Sequence, residues 1–239
     1  MILEVRAVAP FYKNGFVVAC ERTREAVLID PGDEVDQLLG AVRDLDVDVQ
    51  AVLLTHAHID HITGVAAAKD AFDVPVYLHR DDLFLYEMAV QQGAMFGFKV
   101  RQPPPVDQFY ETGPFAFGDY TAHVHHTPGH CPGGVCLAIG KRGQPGSGIG
   151  DQGSGIGDRG SGIGEQGSGR HLFVGDTLFA GSIGRTDLPG GDYEVLMRSI
   201  TQVLFPLGDE AIVHPGHGPD TTIGRERTTN PFVLEYFQR

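Results

Sequence analysis

Residues 53–61 read LLTHAHIDH. Four side chains able to hold a metal ion, His56, His58, Asp60 and His61, fall within six positions, directly after the apolar run VQAVLL. That run predicts a buried strand. In an extended segment, residues two apart point to the same side, so His56 and His58 can grip one ion together. Asp60 and His61 come where the chain turns into the next helix, and N-capping is the purely structural role open to Asp60. A metal-free surface loop is the plain alternative for the histidines. Four ligand types packed behind a buried strand argue against it.

The flanking sequence places this loop in an α/β frame. ILEVRAV, FVVAC and AVLID are short, β-branched runs between turn residues and predict strands. EVDQLLGAVRDL, ITGVAAAKDAF and RDDLFLYEMAVQQ carry apolar residues at helical spacing. VPVYLH, FAFGDY, TAHVHHT, GVCLAIG, HLFVGD and EAIVHP predict further strands. DYEVLMRSITQVLF and TTIGRERTTN predict late helices, and the Pro- and Gly-rich stretch from about 93 to 114 an extended loop near the site. The pattern suggests two sheets covered by helices, in one α/β domain over residues 1–239.

Residues 146–166 depart from it as three seven-residue copies, GSGIGDQ, GSGIGDR and GSGIGEQ. Glycine takes 12 of the 27 positions from Gly143 to Gly169, so this segment has little to bury and much entropy to lose. One acid per copy supplies few oxygens for calcium. Residues 143–169 therefore read as a flexible loop inserted between two strands. Lengthening a loop from about 5 to about 27 residues costs only about 1.5 kcal/mol.

Three later segments repeat the opening design, a strand ending in a turn with a metal-ligand side chain. TPGHCPGG delivers His130, LFVGDTLF delivers Asp176 and IVHPGHGP delivers His217. Glycine or proline flanks each one and lets the backbone approach closely. With the first four they make seven candidate ligands. The net charge of −13 argues against a nucleic-acid partner, since phosphate binding needs a basic surface. No apolar run approaches the roughly 18–20 residues that span a bilayer. MILEVRAVAPF lacks the pattern of a signal peptide, and the three cysteines form no C-x-x-C pair. A cytoplasmic location is expected.

THAHIDH, followed in order by His130, Asp176 and His217, resembles the metallo-β-lactamase superfamily. The resemblance implies an αββα sandwich of two mixed sheets flanked by helices, with metals at one edge. It implies a first site of His56, His58 and His130, a second of Asp60, His61 and His217, and Asp176 bridging both ions beside a hydroxide. Two divalent ions are expected, zinc first, with iron and manganese also suited to imidazole and carboxylate ligands. Two such ions with Asp60, Asp176 and a hydroxide leave about +1, which attracts an anionic substrate.

GDTLFAGSIGRTDLPGGD and PGHGPDTTIGRERTTNPF resemble the small, single-domain branch of glyoxalase II, the hydroxyacylglutathione hydrolases. That implies hydrolysis of a small anionic thioester, a glutathione-based one among the candidates, with Asp60 and Asp176 at the reacting centre. The resemblance to this small branch implies that the longer C-terminal helical domain, which carries much of the glutathione contact in larger relatives, is not expected here. HxHxDHITG and GRTD also occur in persulfide dioxygenases. Those hold one iron at positions matching His56, His130 and Asp176, and they form the alternative reading. β-Lactam cleavage is not expected. Arg185 is a candidate substrate contact for an anionic group, against a structural ion pair with Asp187 or another acid. Asp30 is a candidate to orient a ligand from behind. His123, His125, His126 and Cys131 read as packing residues, and His79 and His214 as strand-end residues without a role.

Overall fold

Strict alternation along the strands builds the core. In a computed structural model, which describes residues 1–110, 113–142 and 170–238, the first sheet holds six strands in sequential order. They are β1 (Ile2–Arg6), β2 (Gly15–Ala19), β3 (Glu25–Ile29), β4 (Asp48–Leu53), β5 (Val76–Leu78) and β6 (Gln108–Phe109). The first three run antiparallel, and β3 to β6 pair in parallel. The second sheet holds β7 (Phe115–Phe117), β8 (Tyr120–His126), β9 (Val135–Lys141), β10 (His171–Gly175), β13 (Ile212–Pro215) and β14 (Thr221–Thr222). Only its β10–β13 pair is parallel. A separate hairpin, β11 (Leu178–Phe179) with β12 (Ser182–Ile183), leaves the end of β10.

Phe16, Val18, Val27, Ile29, Ala51 and Leu53 point inward from the first sheet, against Val135, Leu137, Ile139 and Phe173 of the second. The intervening Val17, Ala19, Ala26 and Leu28 pack outward under α1 (Val35–Leu45) and α3 (Val65–Phe72). On the far side Cys136, Ala138, Leu172 and Val174 meet α6 (Tyr193–Arg198), α7 (Ile223–Thr229) and α8 (Pro231–Tyr236). The layers run helix, sheet, sheet, helix, as expected. Every face of both sheets is covered, which accounts for the near-continuous apolar runs in the sequence.

Three elements differ from their predicted form. The helix expected from residue 62 onward is preceded by a one-turn helix, α2 (Ile59–Ile62), that includes Asp60 and His61. The helix predicted over 80–92 breaks at Met88 into α4 (Leu83–Glu87) and α5 (Ala89–Met95). The long helix from Tyr193 loosens into a π-helical turn over Ser199–Leu204, and the chain adds α8 after the helix expected to be last. β9 and β10 are antiparallel neighbours, with His171 opposite Ile139. The 143–169 insertion that separates them in sequence lies outside the described residues. Among the described residues no helix is long and apolar enough to cross a membrane.

Candidate metal centre

The C-terminal ends of β4, β10 and β13 share one edge of the sandwich, as does the loop that follows β8. His58 is extended and caps α2, so Asp60 and His61 lie in the first turn of that helix. The N-cap role open to Asp60 is therefore not the one it plays. The ligand atoms of His56, His58 and His130 lie within 4.8 Å of one another, and so do those of Asp60, His61 and His217. Asp176 stands between the two groups. Its Oδ2 is 3.7 Å from His130 Nε2 and 3.6 Å from His217 Nε2, and its Oδ1 is 3.5 Å from His61 Nε2. All seven predicted residues converge.

The donor atoms are presented for a cation. His56 Nε2, His61 Nε2 and Asp176 Oδ1 are buried without a hydrogen-bond partner. Each such atom costs about 1–3 kcal/mol if nothing compensates it. Tetrahedral coordination at about 2.0–2.1 Å places donors about 3.3 Å apart, which matches the spacings around Asp176. The cluster suits a dinuclear site.

Asp30 sets the tautomers of two of these rings. Its Oδ1 accepts from Thr55 N at 2.7 Å, and its Oδ2 from Thr55 Oγ1 at 2.5 Å and from His61 Nδ1 at 2.9 Å. The Thr55 hydroxyl proton is thus committed, so its oxygen accepts from His56 Nδ1 at 3.1 Å. In both rings the lone pair is left on Nε2, facing the centre. The third ring, His130, donates from Nδ1 to the Arg185 carbonyl at 2.8 Å, and its Nε2 lies 2.7 Å from His58 Nδ1.

Burial, then neighbouring histidines, drives His56 well below its ordinary pKa, and burial with His130 lowers His58 to about 4. Both are neutral, as ligands must be. Burial also opposes charge on His61, but Asp60, Asp176 and Asp30 outweigh it and raise that ring to about 10. Burial pushes Asp60 and Asp176 upward, and His61 leads the histidines that hold both below the usual carboxylate range. For the protein atoms alone, His61 is the counter-ion of both carboxylates.

Several residues that hold the centre carry little local signal. Lys13 is buried, with Nζ donating to Glu34 Oε1 at 2.6 Å and to the Asp30 carbonyl. Asn14 donates from Nδ2 to the carbonyls of Pro215 at 3.0 Å and Gly218 at 2.8 Å, clasping the turn that carries His217. Asp82 accepts from Ala57 N at 3.0 Å and Gly133 N at 2.6 Å, tying the loop of His56 to that of His130. Nothing in FYKNG or at the start of the RDDLFLYEMAVQQ helix marks these side chains as buried. Gly216 does carry a signal, as the glycine of HPGHG. A Cβ there would stand 2.2 Å from Asp176 Oδ1 and 2.7 Å from His61 Cε1.

Arg185 forms the ion pair with Asp187, at 2.8 and 2.7 Å, while still lining the cavity over the centre. Cys131 is buried and its Sγ lies 3.2 Å from Asp82 Oδ2. His125 is buried in β8, and His214 is buried with Nδ1 3.0 Å from Asp220 Oδ2. His79 and His126 stack at 4.2 Å with planes 9° apart. They approach Asp81, but rings stacked in parallel cannot both aim a lone pair at one ion.

A cavity of about 400 Å³ opens over the centre. His58, Asp60, His130, Asp176 and His217 form its floor, and Phe11, Phe84, Leu85, Met88, Met95 and Phe96 much of its wall.

Residues 8–143 and 157–221 match the family model of the metallo-β-lactamase superfamily. The chain is 32% identical to the hydroxyacylglutathione hydrolase GloC of Haemophilus influenzae, over 98% of each chain. Among solved structures, the BLEG-1 B3 metallo-β-lactamase superposes with a TM-score of 0.79 at 34% identity, covering 97% of this chain and 99% of that one. TTHA1623 in a di-iron-bound form gives 0.75 at 38% identity, covering 96% and 99%.

Proposed function

The chain belongs to the metallo-β-lactamase superfamily, and we propose that it is a two-metal hydrolase that cleaves a small anionic thioester. The observation that carries this reading is the position of Asp176, within 3.5–3.7 Å of ring nitrogens from both histidine groups. In this proposal His56, His58 and His130 hold one ion, Asp60, His61 and His217 hold the other, and Asp176 serves both. Two divalent ions supply a bound water acidified towards neutrality and a polarised carbonyl. Zinc suits the donor set, and the di-iron form of a relative keeps iron in the proposal.

The chain's own residues suit a thioester. Burial opposes charge on Asp60 and Asp176, and the cations that the two groups would hold keep both carboxylates ionised. They accept hydrogen bonds from the attacking water and orient it. Neither carries a proton for the leaving group, and the other acids nearby are the lining histidines. A thiolate with pKa near 8.5 leaves with little such help. Arg185, at the rim, meets an anionic substrate group. The three cysteines are buried free thiols, which fits a cytoplasmic setting. GloC at 32% identity supports a glutathione-derived substrate weakly.

The test is a paired assay on one metal-analysed preparation. Hydrolysis of S-lactoylglutathione and of simple thioesters is followed beside oxygen uptake with glutathione persulfide and beside cleavage of a chromogenic β-lactam. Two metals per chain and thioester hydrolysis without oxygen uptake are expected. One iron per chain with rapid oxygen uptake would replace this reading by the persulfide dioxygenase. Faster turnover of the β-lactam than of every thioester would replace it by a lactamase.

A further inference from the structure

Four of the large apolar side chains most exposed on the described surface are gathered at one place. Phe84 and Met88 are 44% exposed, Phe96 55% and Met95 81%, and all four line the cavity over the metal centre. Phe11 continues the wall and packs edge-on against Phe96, with ring centroids 6.0 Å apart, and against Phe98 at 5.4 Å. α4 and α5 carry this wall, and the break between them at Met88 turns its side chain into the cavity. An exposed apolar patch continuous with a reaction centre marks what binds there. Two methionines make the wall adaptable, since an unbranched thioether repacks readily around different shapes.

Charge is scarce on the same wall. Among the described lining residues Arg185 is the one lysine or arginine, and two of its three guanidinium nitrogens, Nε and Nη2, already bond Asp187. A neighbouring hollow with Lys99 and Arg101 shares only Phe11 and Ile59 with the cavity, and Asp70 pairs with Arg101. A peptide thiol with two carboxylates and an ammonium would bring three charges to a surface built to shed water. An alkyl or aryl group would bury apolar area on both sides.

We propose that the substrate of this centre carries an extended apolar group, a medium-length alkyl chain or an aromatic ring, and that Phe84, Met88, Met95 and Phe96 select it. Where the scissile bond lies rests on the thioester reading above; the apolar preference does not.

Two measurements on the zinc-loaded full chain separate these claims. The first is calorimetric binding of straight-chain carboxylates from acetate to octanoate, which needs no turnover. The dissociation constant is expected to fall about four-fold per fully buried methylene. The double variant Met88→Gln, Phe96→Ser is expected to flatten that series, with its circular dichroism spectrum unchanged. A series already flat in the unaltered protein overturns the proposal, whatever reaction is catalysed, and so does a slope the variant leaves intact. The second measurement is kcat/KM on two thioester ladders, one lengthened on the acyl side and one on the thiol side of an uncharged carrier. A rise along one ladder supports the proposal and names the side that meets the wall. Level ladders in an active enzyme overturn it. If no thioester is cleaved while the carboxylate slope stands, the thioester reading fails and the apolar preference survives.

Discussion

Asp30 Oδ2 lies 2.9 Å from His61 Nδ1, and both side chains are out of solvent. The same carboxylate fixes His56 through the Thr55 hydroxyl. Asp30→Ala therefore releases two rings at once. Metal affinity is expected to drop about 10–100-fold, read by chelator competition. Unchanged affinity would show that the rings are held by packing alone.

Gly216 tests the crowding at the centre. Gly216→Ala drives a methyl group towards Asp176 and His61. Loss of bound metal and of hydrolysis is expected, with the circular dichroism spectrum retained. Gly140→Ala, where a Cβ meets nothing within 4 Å, is the matched control and should bind metal normally.

Asp82→Ala leaves the amides of Ala57 and Gly133 without their acceptor. Two orphaned buried donors cost about 3 kcal/mol together. Chemical denaturation should show a loss of that order, and a loss below about 1 kcal/mol would mean that the two loops rearrange to bond elsewhere.

His171 gives a pH dependence away from the ligands. Its Nδ1 lies 2.8 Å from His214 Nε2, and burial followed by the His214 charge lowers its pKa to about 4. The folded protein thus binds fewer protons here than the unfolded chain, whose histidine titrates near 6.5. The contribution is fully present above pH 6.5 and is lost as pH falls towards about 4. Melting temperature should drop across that window, and His171→Asn should make the drop shallower. Equal slopes in both proteins would count against this pair.

Deleting residues 146–166 shortens the connection between two paired strands. By loop-closure scaling, stability should rise by about 1 kcal/mol with turnover unchanged. A large fall in turnover would assign the repeat a part in the reaction.

The ligands were legible because their signals are local. His56, His58, Asp60 and His61 stand together, and Gly or Pro frames His130, Asp176 and His217 at strand ends. The sheets were legible from short, β-branched apolar runs between turn residues, such as FVVAC and GVCLAIG. Lys13, Glu34 and Asp82 were not. Each is a charged residue buried by partners far away in sequence or by a bend of the backbone, and no window of neighbouring residues encodes that. The break at Met88 was hidden because its neighbours have helical spacing on both sides. Asp30 stood out only as the turn after a strand, and its reach to Thr55 and His61 depends on β3 and β4 lying side by side.

The two histidine groups draw on the chain in the same proportion. Each takes two side chains from the segment after β4, the first group from its loop and the second from α2, and one from a turn that follows a strand of the second sheet. An ion in either group is thus a rivet between the two sheets, and the unfolded chain cannot offer the same grip. At a hundredfold excess of metal over its dissociation constant, one such rivet adds about 2.7 kcal/mol to folding. Starved of metal, the sheets lose their clamp along the edge where substrate enters. Resistance to proteolysis would then track the metal supply as closely as turnover does.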